Sequence, residues 1–369
     1  MNIIYLDNAA TTCVAPEVER AMAPMWSEIY GNAASRFHPY GWAAEEIVSQ
    51  ARQTVETQLG AHTQEVVFTS GASESIQLIF LGWLEHGGHH LVLPATEHSV
   101  VLDLAKWVSR LGKKVTFLPV DQQGNLSFDL TLPTKPDLFL LMAGNNEIGT
   151  CHPVREWVKI IRDQYPTCWI ATDATQAVGK YPVNFHEMGV DFLVGSAHKF
   201  HGPKGVGFLL VRQGLPFFPW GKSHRQERGR RAGTLAVPLI AGLAAALELD
   251  SRVKEIEGLR NKLEERLLNE INVGWVNGNM NFRLPHISSI TFPGIDGERL
   301  FQRITKVAVS NGSACTSAEV IPSHVLKAIG LTDADAEATV RFSLSRYTTE
   351  SEIDDTVVHM TEVVNRLRK

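Results

Sequence analysis

The sequence has 369 residues, of which 44% are hydrophobic, so it can bury a large core and is expected to form two domains. Its formal net charge of −5 argues against a general nucleic-acid binder, because such proteins present a strongly positive surface. Its four cysteines form neither a Cys-x-x-Cys pair nor a His/Cys metal spacing, so no metal site is expected.

The beginning of the chain lacks the basic start of a secretory signal. The longest apolar stretch, 237–249, is too short to cross a bilayer. We therefore expect a cytoplasmic protein with reduced thiols and no membrane partner.

Short strand-like runs alternate with helical patterns through the first two thirds of the chain. This alternation predicts an α/β fold with a mostly parallel sheet and flanking helices. The candidate strands are 65–69, 90–93, 114–120, 137–143, 168–172, 191–195 and 206–211, and 41–59 has helical spacing of its apolar residues. Ligands collect at the carboxyl ends of strands in such sheets, and His98, Asp173 and Lys199 each follow a predicted strand.

The last third of the chain predicts a second, smaller α+β domain. A long helical pattern over 237–271 has a predicted break near 250–251 and leads into it. A strand at 287–292, a helix, a loop and a final helix opened by a capping box at 349–352 follow. We expect a large domain of residues 13–250, and a small domain that combines 1–12 with 251–369.

Two residues indicate the chemistry. Lys199 lies in Gly195-Ser-Ala-His-Lys-Phe-His-Gly-Pro-Lys-Gly-Val-Gly207, directly after an apolar run. A lysine amine condenses with the aldehyde of pyridoxal phosphate (PLP), while hydroxyl and imidazole groups beside it suit the phosphate. Cys315 is flanked by small residues that are typical of an exposed loop. A cofactor lysine together with a loop thiol favours sulfur chemistry on an amino acid.

Further motifs follow one another along the chain. They are Tyr5-Leu-Asp-Asn-Ala-Ala-Thr-Thr12, Thr69-Ser-Gly-Ala-Ser-Glu-Ser75, Ala95-Thr-Glu-His98, Asn145-Asn-Glu-Ile-Gly149, Thr172-Asp-Ala-Thr-Gln-Ala-Val178, Arg231-Ala-Gly-Thr-Leu235, Ser310-Asn-Gly-Ser-Ala-Cys-Thr-Ser-Ala318 and Arg341-Phe-Ser-Leu-Ser-Arg-Tyr-Thr-Thr349. With them the chain resembles, almost end to end, the PLP-dependent cysteine desulfurases, the NifS/IscS-like branch of the class V aminotransferase superfamily. The resemblance implies a PLP-dependent transferase of fold type I with a seven-stranded sheet. It also implies that L-cysteine is converted to L-alanine while Cys315 keeps the sulfur as a persulfide.

The resemblance also implies roles for the residues that bind the cofactor. Lys199 would hold PLP covalently and act as a base, Asp173 would face the pyridine nitrogen, and Gln176 would bind the phenolic oxygen. A carboxylate in that position keeps the pyridine nitrogen protonated, so that the ring can accept electrons. His98 would stack on the ring and move protons of the substrate, as a near-neutral imidazole can.

The phosphate would be held by small and hydroxyl-bearing residues of this chain and by one residue of a second chain. Ala72, Ser73, Ser196 and His198 match the phosphate contacts, although threonine is usual in the family where Ser73 stands. Thr234 would reach the phosphate bound to the neighbouring subunit, so the resemblance implies a homodimer.

Arg341 and Asn146 match the residues that bind the substrate carboxylate, which suits the planar fork of arginine. Asn146 would also contact the cofactor. Asn8, Asn32 and His38 belong to N-terminal motifs near the site, and Asn8 and Asn32 would contribute to substrate binding.

The residues leave other interpretations open. Lys199 could be a surface lysine, Asp173 a helix N-cap and Arg341 an ordinary ion-pair partner. A cysteine or selenocysteine lyase would need no thiol, a plain aminotransferase would yield a keto acid, and a non-enzymatic subunit of a sulfur relay would bind without turnover. The acceptor of the sulfur, whether in iron–sulfur cluster assembly, tRNA thiolation or DNA phosphorothioation, is not specified by the sequence.

The chain departs from the family pattern at two places. Ser223-His-Arg225 replaces a glycine-rich run and, with the arginines that follow, makes the segment 224–231 basic. This segment would face the partner subunit, or bind an acidic protein or a nucleic acid. The chain also ends soon after its final helix, without the extension that docks the iron–sulfur scaffold in the housekeeping branch, which favours a specialised acceptor protein.

Overall fold

The computed structural model describes residues 3–129, 134–222, 226–311 and 322–368, in which strands and helices alternate. The strands are β1 (Ile4–Tyr5), β2 (Val66–Thr69), β3 (His90–Pro94), β4 (Lys114–Leu118), β5 (Leu138–Leu140), β6 (Trp169–Asp173), β7 (Phe192–Ser196), β8 (Gly207–Val211), β9 (Pro219–Lys222), β10 (Trp275–Val276), β11 (Ile287–Thr291), β12 (Val307–Ala308) and β13 (Thr339–Ser343). The helices are α1 (Pro16–Met22), α2 (Pro39–Leu59), α3 (Ala72–Glu85), α4 (Ser99–Arg110), α5 (Val154–Gln164), α6 (Phe185–Met188), α7 (Val237–Leu247), α8 (Val253–Ile271), α9 (Gly297–Arg303), α10 (His324–Ala328), α11 (Asp333–Glu337) and α12 (Glu350–Leu367).

A seven-stranded sheet forms the centre of the larger part of the chain. Its strand order is β2-β8-β7-β6-β5-β3-β4. Strands β4, β3, β5, β6 and β7 are parallel to one another, whereas β8 is antiparallel to both β7 and β2. The predicted α/β fold with a mostly parallel sheet is confirmed.

Helices cover both faces of this sheet. Along each strand the apolar side chains alternate between the two faces, so each face offers apolar groups against which helices can pack. Phe139 and Leu193 pack on the face covered by α2 and α7. Their neighbours Leu138 and Phe192 pack on the opposite face, which α3 and α4 cover. The central strands are therefore buried on both sides, as a parallel sheet requires.

A second apolar cluster is built around the antiparallel sheet β10-β11-β13 and helices α8 and α12. The predicted break in the long helical pattern is confirmed, since α7 ends at Leu247 and α8 begins at Val253. The capping box at the start of α12 is confirmed as well. Thr349 accepts a hydrogen bond from the Glu352 backbone at 3.3 Å, and the Glu352 carboxylate accepts one from the Thr349 backbone at 2.7 Å.

The N-terminal segment, residues 3–12, connects the two clusters. Its strand β1 pairs in parallel with β12, and Leu6 packs in the cluster of the smaller sheet. Ala9 already belongs to the cluster of the large sheet, and Thr12 donates a hydrogen bond to the carbonyl of His198 at 3.0 Å.

In the part of the chain that the structure describes, each helix is too short or too polar to span a membrane. The predicted strand 137–143 is shorter than expected. The assigned strand ends at Leu140, although the backbone N–H groups of Leu141 and Ala143 still donate to the carbonyls of Ala171 and Asp173, at 3.0 and 2.8 Å. Polar residues after β3, β5, β6 and β7 are thereby brought to the same edge of the sheet.

Candidate functional site

A cavity of about 830 Å³ opens at the carboxyl ends of the parallel strands. Its lining includes most of the residues singled out in the sequence, which come from loops far apart along the chain. These are Ala72, Ser73, His98, Asn146, Asp173, Gln176, Ser196, His198, Lys199 and Arg341. The polar edge of the sheet is therefore a single site, and the N-terminal segment contributes Ala9, Ala10 and Thr11 to it.

Lys199 ends a short 3-10 turn that follows β7 directly. Its amine donates hydrogen bonds to the backbone carbonyls of Ala9 and Ala10, both at 2.7 Å. The side chain is only partly exposed and lines the cavity. These contacts exclude the interpretation of Lys199 as an ordinary surface lysine.

Asp173 is the last residue of β6 and is 8% exposed. Its carboxylate accepts a hydrogen bond from the Thr175 backbone at 2.9 Å. Turns follow rather than a helix, so the interpretation of Asp173 as a helix N-cap is wrong. Gln176, three residues after Asp173, lines the same cavity and donates a hydrogen bond to the carbonyl of Ala9 at 2.8 Å.

One corner of the cavity suits an anion. Helix α3 begins there behind Gly71, with no side-chain hydrogen bond capping its first turn, so its backbone N–H groups are available. A Cβ atom on Gly207, the first residue of β8, would lie 2.7 Å from the Cα of Gly71, so glycine is needed for the two backbone segments to approach so closely. Ser196 and Lys204 line this cavity too.

His198 lies beside this corner of the cavity, and its Nδ1 is 3.2 Å from the hydroxyl oxygen of Thr11. Burial, together with the neighbouring charges of Lys199 and Lys204, lowers the pKa of His198 to about 4. The imidazole is therefore neutral at pH 7 and can serve as a hydrogen-bonding group. An uncapped helix N-terminus, a lysine amine and a buried carboxylate in one cavity fit the phosphate, the aldehyde and the pyridine nitrogen of PLP.

His98 caps helix α4, because its Nδ1 accepts a hydrogen bond from the Val100 backbone at 3.2 Å. Nδ1 is thus an acceptor, so the proton of the neutral ring lies on Nε2. Burial lowers the pKa of His98, against the opposing effect of Asp173. The neutral imidazole therefore offers an N–H donor at Nε2 in the cavity that it lines.

Arg341 lies in β13 and is 3% exposed. Its guanidinium donates to the Asp7 carboxylate at 2.7 Å and to the carbonyl of Asn146 at 2.9 Å. Its Nε is buried without a hydrogen-bond partner in the structure. Arg341 therefore does form an ion pair, as the alternative interpretation expected. The pair is buried in the cavity wall, however, and the Nε–H group of the guanidinium remains for a ligand.

Cys315 lies outside the described residues. The residues on both sides of its segment are described, and both sides reach the site. Ser310 exchanges backbone hydrogen bonds with Arg341, at 2.6 and 3.2 Å. Ser323 and His324 line the cavity.

Four residues named from the sequence do not line the cavity that the described part of this chain forms. The amide of Asn8 is buried and donates to the carbonyl of Ser343 at 2.8 Å. Asn32 is exposed and accepts from the Ala34 backbone, and His38 is exposed and caps α2. Thr234 is exposed.

The sequence interpretation missed two buried carboxyl groups at the site. Glu97 accepts a hydrogen bond from the Met142 backbone at 2.7 Å, and its burial raises its pKa well above the usual value, with Asp173 adding to the effect. Glu147 lines the cavity and accepts from the Ser323 hydroxyl, and burial raises its pKa to about 7. Glu97 directly precedes His98 and Glu147 directly follows Asn146 in two of the motifs. These positions were the only indication in the sequence that the two carboxyl groups belong to the site.

Two buried bases were missed as well. Lys180 is fully packed, its amine has no hydrogen-bond partner in the structure, and burial lowers its pKa to about 7. His286 is completely buried and contacts Gln176 at 3.3 Å. The sequence around His286 carries no pattern that could have identified it.

The described arginines of the basic segment turn toward their own chain. Arg228 and Arg230 donate to the carbonyls of Val66 and Gln64, at 3.3 and 3.1 Å, and Arg231 pairs with Glu74 at 2.9 Å. These contacts support a structural role for residues 226–231 and give no support to a nucleic-acid surface there. Residues 223–225 lie outside the described part of the chain.

Known proteins of similar sequence and fold include cysteine desulfurases. The family model for class-V aminotransferases matches residues 4–356. The sequence is 41% identical to a cysteine desulfurase of Trichormus azollae, in an alignment covering 100% of this chain and 94% of that protein.

Two solved structures agree with the sequence comparison. A NifS-like protein superposes with a TM-score of 0.91 at 34% identity, covering 99% of this chain and all of the other. SspA, solved in complex with cysteine, superposes with a TM-score of 0.82 at 31% identity, covering 94% of this chain and all of the other.

Proposed function

Because the chain belongs to the class-V aminotransferase family and aligns over its whole length with a cysteine desulfurase, we propose that it takes the sulfur from L-cysteine. It is a PLP-dependent cysteine desulfurase. SspA, which shares its fold at 31% identity, binds cysteine in its solved structure. The products are L-alanine and a persulfide on Cys315, from which the sulfur passes to an acceptor protein.

One observation carries this proposal. A single cavity combines the amine of Lys199, the buried carboxylate of Asp173, the uncapped beginning of α3 and the unpartnered Nε of Arg341. These are the groups required to hold an aldehyde cofactor by its carbonyl, ring nitrogen and phosphate, and to hold an amino acid by its carboxylate. Ala72, Ser73, Ser196 and His198 belong to the phosphate end of the same cavity.

When bound, PLP supplies an electron-accepting ring that weakens the bonds at Cα and Cβ of an amino acid. The side chains of the protein orient the substrate and move its protons. Arg341 and Asn146 orient the carboxylate of cysteine, and Asp173 keeps a proton on the pyridine nitrogen. Lys199 removes the Cα proton, and His98 moves protons to and from the substrate.

The thiol of Cys315 then attacks the sulfur of the substrate. An S–S bond forms to Cys315 as the Cβ–S bond breaks, and Cβ takes up a proton to give alanine. Cysteine and one protein thiol are thereby converted to alanine and one persulfide, with no other oxidant or reductant. Arg341 and Ser323 both line the cavity. Arg341 exchanges backbone hydrogen bonds with Ser310, which precedes the Cys315 segment, and Ser323 follows that segment in the sequence, which supports this assignment.

The decisive experiment compares two cysteine variants in alanine production. Cys315→Ser is expected to reduce alanine formation from cysteine to background and to abolish the mass increase of one sulfur atom on the protein. Cys13→Ser, which removes an exposed thiol elsewhere, is the matched control and should keep both activities. Continued turnover by Cys315→Ser would instead identify a lyase that needs no thiol.

The same protein is proposed to act as a homodimer. Large aromatic side chains are exposed along residues 26–42, among them Phe37 at 95%. A surface of this kind is typical of an interface. Thr234 is exposed and does not line the cavity of its own chain, which agrees with a contact to the phosphate in the other subunit.

A further inference from the structure

His286 precedes strand β11 and is completely buried, and the reaction described above assigns it no role. Its Nε2 lies 3.3 Å from Oε1 of Gln176, 110 residues away along the chain. Its other ring nitrogen, Nδ1, is buried without a hydrogen-bond partner in the structure. The contact joins the smaller sheet to the cavity at the carboxyl ends of the larger sheet.

The orientation of the Gln176 amide follows from its other contact. Gln176 donates through Nε2 to the backbone carbonyl of Ala9 at 2.8 Å. A carbonyl can only accept, so the amide nitrogen must lie on that side and the amide oxygen must face His286. The Nε2 of His286 must therefore carry a proton.

The charges around His286 select a single protonation state. Burial holds its pKa well below the usual value, and the positive charges of Lys180, Arg341, Arg260 and Lys199 add to the effect. The ring is neutral, so it has one N–H group. Since that group lies on Nε2, the unpartnered Nδ1 carries the lone pair.

We propose that His286 is a positioning residue that fixes Gln176 as a hydrogen-bond donor toward the cavity. His286 occupies the amide oxygen, and the carbonyl of Ala9 accepts one of the two amide hydrogens. The second N–H is the polar group that Gln176 presents to a ligand. The inference rests on the proposed function, because the ligand atom that would accept this hydrogen is the phenolic oxygen of PLP.

The geometry couples Gln176 to the reactive lysine as well. The carbonyl of Ala9 accepts from both Gln176 and Lys199, at 2.8 and 2.7 Å. If the Gln176 amide were reversed, its oxygen would face the carbonyl of Ala9, and two hydrogen-bond acceptors would lie opposite each other. The contact with His286 prevents that reversal, so the donor toward the phenolic oxygen is preorganised.

The test measures the absorbance of the PLP-loaded protein as a function of pH. A donated hydrogen bond stabilises the ionised phenolic oxygen, so losing the donor makes this oxygen more basic. His286→Leu removes the N–H and is expected to raise the titration midpoint of the bound chromophore by about 0.5 to 1 pH unit. His286→Gln keeps an N–H near the position of Nε2 and is expected to recover at least half of that shift.

The variants are then combined to separate a specific role from a structural one. In a Gln176→Leu background, His286→Leu should produce no further shift, because the residue through which it acts is absent. If His286→Leu does not fold, His286→Met takes its place in both backgrounds. An equal shift in the two backgrounds, or no shift in either, would overturn the inference.

Failure of this inference is distinguishable from failure of the proposed function. A wild-type protein that forms no absorbing complex with PLP contradicts the cofactor assignment itself. A wild-type complex whose titration does not respond to His286 contradicts only the positioning role.

Discussion

Arg341 shows how one side chain can be held by the protein and still bind a ligand. Asp7 and Asn146 accept two of its hydrogen bonds, and its Nε remains without a partner in the structure. A carboxylate that binds to Nε meets a guanidinium whose plane is already fixed. Less rotational freedom is then lost on binding than with a mobile arginine.

Arg341→Lys is expected to raise the KM for cysteine with a smaller effect on kcat. Lysine keeps the charge but loses the planar fork, and charge-assisted hydrogen bonds contribute about 1.5–3 kcal/mol, so KM should rise about tenfold or more. Steady-state alanine formation over a range of cysteine concentrations measures this. Arg266→Lys, at a surface pair with Asp354, is the matched control, and an unchanged KM in Arg341→Lys would contradict the carboxylate assignment.

At the level of residues, the sequence predicted the polar groups that occur in motifs. Lys199, Asp173 and Gln176 were named from such motifs, and the structure brings them to one cavity. The sequence could not predict the partners of these groups. Glu147 and Ser323 are 176 residues apart, and such a pairing is defined only after folding.

At the level of elements, strands with a buried, regular pattern were predicted to within a few residues, as β2, β6 and β7 illustrate. The two-residue strands β1 and β12 were not predicted. Two residues cannot show a periodicity, and their pairing depends on the remote contact between the N-terminal segment and the smaller sheet.

The edge strand β2 is covered by a short segment that the sequence suggested only as a basic patch. Glu227 accepts a hydrogen bond from the Phe68 backbone at 3.1 Å and pairs with Arg52. Arg228 donates to the carbonyl of Val66. The backbone N–H of Phe68 and the carbonyl of Val66 are thus occupied at this edge of the sheet, which hinders pairing with another chain.

Glu227→Ala is expected to lower the free energy of unfolding by about 3 kcal/mol, since it leaves Arg52 without its buried partner. The midpoint of denaturant unfolding followed by circular dichroism measures the change. Glu255→Ala, which breaks a surface pair with Arg252, should change it by less than about 1 kcal/mol. Equal effects of the two substitutions would show that Glu227 does not hold the edge.

For the whole molecule, the division into a domain of residues 13–250 and one of 1–12 with 251–369 stays a prediction. The packing supports it. Leu6 shares an apolar cluster with Ile290 and Val357, whereas Ala15 belongs to the cluster beneath the large sheet. The change of neighbours falls between Leu6 and Ala9, a few residues before the predicted boundary at residue 12.

The proposed dimer can be tested by mixing two defective variants. Lys199→Ala removes the amine of a subunit's own site, and Thr234→Ala removes the contact proposed to reach the other subunit's site. A dimer containing one chain of each kind then has one intact site and one doubly altered site. Activity should reappear when the two proteins are unfolded and refolded together.

The control is refolding of each variant alone, which should restore nothing beyond its starting activity. If Thr234 served its own subunit, the mixed dimer would contain no intact site and activity would not return. The same result is expected if the protein functions as a monomer.

The N-terminal segment has a practical consequence for anyone who shortens this protein. The carbonyls of Ala9 and Ala10 hold the reactive amine, and β1 is the hydrogen-bonded neighbour of β12. A variant trimmed to begin at residue 13 for crystallisation would lose both at once. Residues 3–12 are part of the wall of the site, and affinity tags there need a spacer long enough to leave it undisturbed.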